Sequence, residues 1–177
     1  MSRIFGDVCQ AGYIVRDFDA ALRHWTEKLG IGPWFIRDGL VFGDFTYRGE
    51  PCGVDVTVAL AHSGPLQVEL ITPKNDAKSV YNDFLASGRE GFHHFGIMTM
   101  DFDTVTARAA AMGMAPIMSC TVGSPARIHF YEPGGPDDVM IELIEGTHGK
   151  AEVFARIREA AVGWDGTRPW RDFSELR

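Results

Sequence analysis

The 177 residues are 45% hydrophobic and 23% charged, a balance that suits one compact soluble domain or two small modules sharing a core. A net charge of −7 with no basic cluster argues against nucleic acid and anionic membrane surfaces as partners. No apolar run approaches the roughly 20 residues that cross a bilayer. The opening MSRIFGDVCQ holds no apolar segment of signal-peptide length. Cys9, Cys52 and Cys120 are widely spaced without a CxxC pattern, so reduced thiols in a cytoplasmic protein are expected.

In chain order, a short apolar strand carries Gln10 and is followed by Asp17-Phe18-Asp19 and an apolar-periodic stretch ending at Gly30. An Asp favours a helix N-cap because its carboxylate accepts the unpaired amide hydrogens of the first turn, and a Gly tolerates the left-handed turn beyond a helix end. Strand patterns follow at 34–36, 42–47, 54–61 and 66–71, with Ser63-Gly64-Pro65 as a turn. Residues 76–87 read as a linking helix with Val80, Phe84 and Leu85 on one face. The syntax then repeats. His94 lies on a short apolar strand seven positions before Asp101-Phe102-Asp103, as Gln10 lies seven before Asp17, and a helical stretch again ends at a glycine, Gly113. Strands are expected at 116–122, 127–131 and 139–144, the last two separated by Glu132-Pro133-Gly134-Gly135-Pro136. Residues 150–162 read as a helix whose Val153, Phe154, Ile157 and Ala161 stripe packs on the domain or on a second subunit. The tail from 164 is polar with two tryptophans.

Each half thus reads β-α-β-β-β, an α+β fold of two tandem modules. The expected organisation is a first module at 1–75, a linker helix at 76–90, a second module at 91–146, and a C-terminal helix and tail at 147–177.

The chemistry concentrates at matched positions. Gln10 and His94 occupy the first strand of each half. Glu69 in Leu66-Gln-Val-Glu-Leu-Ile and Glu142 in Val139-Met-Ile-Glu-Leu-Ile occupy the last. A single glutamate in such a strand can face solvent on a one-sided sheet. Two at the same place in both halves point to a shared purpose, because a carboxylate among aliphatics is costly unless it is paired or binds a cation. One imidazole, two carboxylates and an amide oxygen suit one divalent metal ion: zinc, nickel, cobalt or manganese. The two negative charges balance the dication, and the lack of cysteine argues against a closed structural zinc site. Other residues rank lower. His93 should point away from His94 across the strand. His129 shares a face with Arg127 and Tyr131 that meets solvent or lines a cavity. Tyr47, Arg48 and Trp34 are candidates to shape an entrance, and His24, His62 and His148 are assigned no role. No GxGxxG, P-loop or GxSxG motif is present.

Over residues 8–146 this pattern resembles the vicinal oxygen chelate superfamily (glyoxalases, bleomycin resistance proteins, extradiol dioxygenases), whose paired βαβββ modules curl a mixed sheet round a metal cleft. Phe84-Leu-Ala-Ser-Gly88, Glu90-Gly-Phe-His-His94-Phe-Gly96 and the stretch from Arg127 to Glu142 look most like the methylmalonyl-CoA epimerases, which commonly have histidine where this chain has Gln10. The Gln10, Glu69, His94, Glu142 set looks instead like the metal ligands of eukaryotic glyoxalase I, whose glutathione-contacting segments are not evident here. The resemblance implies a metal-dependent isomerase, epimerase or lyase. Such an enzyme abstracts a proton α to a metal-bound carbonyl of a small thioester or keto substrate, with Glu142 as principal base and Glu69 as ligand or opposite-face partner. It also implies a homodimer. Two alternatives stand beside it: a non-catalytic small-molecule-binding protein like the drug-sequestering members, and an extradiol-type dioxygenase. The second wants two histidines and a carboxylate on iron, and Gln10 removes one histidine.

Overall fold

Both Asp-Phe-Asp sequences open helices in the computed structural model, which describes residues 2–40, 42–122, 125–132, 134 and 139–176. Asp17 Oδ1 accepts from the Ala20 amide at 2.9 Å and starts α1 (Phe18–Arg23), which runs on as a π-turn over His24–Lys28. Asp101 Oδ1 accepts from Thr104 at 3.4 Å and starts α3 (Phe102–Ala111). Gly30 and Gly113, just beyond these helices, have φ of 68° and 78°, the left-handed turn that glycine adopts without a Cβ clash. Between the halves, α2 (Val80–Ala86) is shorter than the 76–87 stretch expected, because Ser79 takes the cap and its Oγ accepts from the Asn82 amide at 3.2 Å.

The strands of the first half are β1 (Gln10–Ile14), β2 (Trp34–Arg37), β5 (Val56–Ser63) and β6 (Leu66–Pro73), and they lie in the order β2-β5-β6-β1. The second half repeats this with β7 (Gly91–Thr99), β8 (Met118–Val122), β9 (Arg127–Tyr131) and β10 (Met140–Glu145), in the order β7-β10-β9-β8. In each, the first strand runs parallel to the last. The halves join edge to edge through antiparallel pairing of β1 with β7.

The first half contains one strand pattern more than a βαβββ module needs, and the extra one crosses over. Strand β3 (Phe42–Tyr47) pairs antiparallel with β8 of the second half and, with β4 (Glu50–Pro51), extends that edge. At the opposite edge β11 (Trp170–Asp172), from the tail, pairs parallel with β2. Among the described residues the result is one curled, unclosed mixed sheet of 11 strands with four α-helices. The turn expected at 132–136 falls largely outside the described residues.

Strand alternation divides the core between two faces. On the back of the sheet, α1 covers Trp34, Val68 and Leu70, and α3 covers Ile97, Tyr131 and Leu143. The inner face carries Val56, Val58, Ile71, Ile128 and Phe130, against which α2 packs Val80, Tyr81 and Phe84. Helix α4 (Lys150–Ala161) follows the expected range closely, and its stripe lies over the inner side of the first half. Ile157 is fully buried with Phe35 and Leu60. Among the described residues no helix is long and apolar enough to cross a membrane.

Candidate metal centre

Strands β6, β1, β7 and β10 lie side by side at the middle of the sheet, and each supplies one of the four polar residues. Glu69 on β6 and His94 on β7 stand level with Gly12 on β1, while Gln10 on β1 and Glu142 on β10 stand level with Gly96 on β7. Glu69, His94 and Glu142 meet on the inner face, and Gln10 borders the same cavity. His94 Nε2 lies 3.5 Å from Glu69 Oε2 and 3.4 Å from Glu142 Oε2. His94 is fully buried, Gln10 is 2% exposed and Glu142 5%. Gln10 Oε1, Glu69 Oε2, His94 Nε2 and Glu142 Oε2 are all buried without a hydrogen-bond partner. Orphaned buried polar atoms are rare in native proteins and call for a specific reason. Four from one histidine, two carboxylates and an amide, each offering a lone pair to the same space, fit a cation.

The repeat also supplies the room. A Cβ on Gly12 would fall 1.9 Å from His94 Cε1, and one on Gly96 would fall 2.5 Å from Gln10 Oε1. Each module therefore leaves out a side chain where the other inserts its polar residue. Sequence reasoning overlooked both glycines, although their signal was present in the matched Gln10-Ala-Gly12 and His94-Phe-Gly96.

Neighbouring side chains orient the donors. Gln10 Nε2 donates to Gln67 Oε1 at 2.8 Å, which turns the Gln10 carbonyl oxygen towards the site. Gln67 Nε2 in turn meets His62 Nε2 at 3.2 Å, so His62, which had been given no role, stands behind Gln10. His93 departs from expectation. Gly12 and Tyr13 on β1 pair with His94 and Phe92, leaving His93 as the extra residue of a bulge. The bulge interrupts alternation. His93 and His94 both turn inward with Nδ1 atoms 3.0 Å apart, while Phe92 and Phe95 stack on the other face. Burial, with the charge of His94, pulls the His93 imidazole down to about 2. A neutral His93 can accept the Nδ1–H of His94, which leaves the lone pair of a neutral His94 on Nε2.

His129 neither lines the cavity nor meets solvent as a free face. It is half-buried under α3, its ring 4.8 Å from that of Phe102. Trp34 is fully buried on the back of the sheet, and Tyr47 donates to Asp83 Oδ2 at 2.5 Å with Arg48 beside it, so none of the three shapes the entrance.

The site opens into a cavity of about 170 Å³. Gln10, Glu69 and Glu142 face it, aliphatic and aromatic side chains form its walls, and α4 contributes Lys150, Val153 and Phe154. Tyr81 of α2 also borders it, and burial raises that phenol well above its usual range, so it stays protonated.

Burial opposes a charged His94, but the carboxylates of Glu142 and Glu69 outweigh it and hold the metal-free imidazolium up to about 9. Burial raises Glu69 as well. A metal must displace that proton. Below about pH 9 the apparent metal affinity is therefore expected to rise by up to about tenfold per pH unit and to level off above it. Competition titrations with a chromogenic chelator between pH 6 and 9 read this directly, and a flat profile would contradict it.

The profile of the Glyoxalase/Bleomycin resistance protein/Dioxygenase superfamily matches residues 9–131. The chain belongs to that superfamily. Solved structures of similar fold include methylmalonyl-CoA epimerase from Mycobacterium tuberculosis, at 19% identity and a TM-score of 0.59, over 86% of this chain and 95% of that one. A variant of the Streptomyces coelicolor methylmalonyl-CoA epimerase in complex with 2-nitronate-propionyl-CoA matches at 18% identity and 0.57, over 81% and 96%. A hypothetical protein from Bacillus halodurans C-125 matches at 20% and 0.58, over 78% and 93%. At these identities the likeness extends to the fold alone. No curated protein sequence matches. The superfamily match stops before β10 and α4, so Glu142 and the cover of the cavity rest on the geometry of this chain.

Proposed function

We propose that this superfamily member is a metal-dependent isomerase, epimerase or lyase that moves the proton α to the carbonyl of a small thioester or keto compound. The observation that carries the reading is the meeting of four unsatisfied buried donor atoms, with the two carboxylates on either side of His94. Gln10, Glu69, His94 and Glu142 would hold one divalent ion, their two negative charges balancing it. Bound there, such an ion supplies a Lewis acid for a carbonyl oxygen and so acidifies the neighbouring C–H.

The side chains of the chain do the remaining work. Glu142 borders the cavity and removes the α-proton as general base. Glu69 comes from the other module, across His94. In an epimerisation a protonated Glu69 donates its own proton to the opposite face while Glu142 keeps the one it removed; in a lyase reaction Glu69 serves only as ligand. The Tyr81 phenol, kept protonated by burial, is placed to donate to a substrate oxygen. The apolar walls keep bulk water from the carbanionic intermediate. All four donors come from one chain, so the homodimer that the resemblance implies is not needed to complete the site.

Two measurements test this together. Purified protein is expected to hold about one divalent metal per chain. With metal present it is expected to exchange solvent deuterium into the α-position of at least one member of a panel of acyl-CoA thioesters and α-keto hemithioacetals. Protein that retains no metal and exchanges none of them removes the proposal. If site variants of such protein keep full ligand affinity, a non-catalytic binding protein is the better reading.

A further inference from the structure

Besides Glu69 and Glu142, the cavity is bordered by a cation. Lys150 is the first residue of α4, and its side chain runs into the cavity. Its Nζ donates to the Val122 carbonyl at 3.2 Å, the one hydrogen bond found for it among the described residues. An ammonium has three N–H donors, so two are left for whatever fills the cavity. Burial disfavours its charge, while Glu142 and Glu69 favour it. Arg37 borders the same cavity, its guanidinium over the Phe173 ring at 5.9 Å, and adds positive potential.

Charge balance then changes with the state of the metal site. Without metal, Glu69 and Glu142 offset Lys150. With a dication bound, the two carboxylates are neutralised by it, and Lys150 becomes a half-buried cation without their compensation. Such a cation is costly until an anion reaches it. The walls of the same cavity include Val56, Leu60, Ile144 and Phe154, so a ligand that fills it needs a hydrocarbon body.

We infer that Lys150 holds a carboxylate of the substrate, so that the site selects small carbonyl compounds with a second, carboxylate-bearing end joined by a short apolar chain. This deepens the metal-site reading and rests on it. A carboxylate, with one negative charge and two acceptor oxygens, suits the two free N–H groups of one ammonium. Lys150 lies in the C-terminal segment beyond the superfamily match, so this selectivity would be a property of the extension.

The test is calorimetric binding to metal-loaded protein of 2-oxo diacids about four to six carbons long, each compared with the 2-oxo monoacid of the same length. At least one diacid is expected to bind about tenfold or more tightly than its monoacid partner. Lys150→Met is expected to erase that preference while leaving metal content unchanged, and Lys150→Arg to keep part of it. A preference that survives in Lys150→Met, or monoacids that bind through the metal with no diacid favoured, overturns the role of the lysine alone. Wild-type protein that takes up no metal overturns the metal reading and this inference with it, whereas protein that takes up metal but binds none of these acids overturns this inference alone.

Discussion

Replacing Glu142 with glutamine is expected to lower turnover and solvent exchange by roughly a hundred- to ten-thousandfold, the usual contribution of a positioned general base. The amide keeps the shape of the side chain but accepts no proton at working pH. The substitution also removes one of the two anions beside His94 Nε2, at 3.4 Å. The metal-free imidazolium loses its stronger carboxylate partner and its pKa falls below about 9, while the site loses half of the negative charge that balances a dication. Weaker metal binding and slower chemistry can be separated by measuring turnover at saturating metal. The matching Glu69→Gln variant then reads the reaction type. An epimerase that uses both faces loses activity with either change, whereas a lyase loses more with Glu142. If Glu142→Gln turned over within a few-fold of the parent at saturating metal, Glu142 would not be the base.

Gly12→Ala is expected to disable the site without touching any proposed ligand. The new methyl would stand 1.9 Å from Cε1, 2.2 Å from Nε2 and 2.5 Å from Nδ1 of His94, far inside van der Waals contact with the ring. The imidazole has little room to retreat, with His93 Nδ1 at 3.0 Å and the Phe130 ring centroid at 5.1 Å. Overpacking of this kind costs about 1–3 kcal/mol of stability. A displaced His94 should lower metal affinity by at least the roughly 10- to 100-fold seen when ligand support is lost. Gly96→Ala makes the same test from the other module by pressing on Gln10 Cβ at 2.7 Å, which the backbone holds in place. Gly53→Ala is the control. Nothing lies within 4 Å of its added Cβ, and stability should stay within about 0.5 kcal/mol. Thermal melts and metal competition measure both properties, and a Gly12→Ala protein with normal metal affinity would refute the packing argument.

Much of this molecule is readable from local patterns, for reasons that can be named. The Asp caps at 17 and 101 act within a few residues of themselves, so they mark helices before any tertiary contact forms. Strand β10 alternates Ile141 and Leu143 against Glu142 and Ile144, a period the pleat imposes. Because the modules repeat, one polar residue on each first and last strand defines a common place in the fold. Of the four polar residues that pattern singled out, Glu69, His94 and Glu142 lie together and Gln10 borders the same cavity.

What the sequence left open depends on contacts between distant segments. Nothing local in Phe42–Tyr47 says that it pairs with Met118–Val122 in the other half, since any unpaired edge satisfies its backbone equally. The bulge that turns His93 inward arises from the β1–β7 pairing, and alternation within the strand predicted the opposite. Gly12 and Gly96 can be understood only once each first strand lies against the other. Helix α4 was legible as a helix, but its placement over the inner face, with Lys150 reaching into the cavity, required the whole sheet. The sequence by itself thus determined the repeated modules and the four polar residues, because caps, periodicity and buried charge are written in short stretches of chain. The tertiary structure alone decided how those residues are spaced, supported and covered, because those properties belong to segments that meet only after folding.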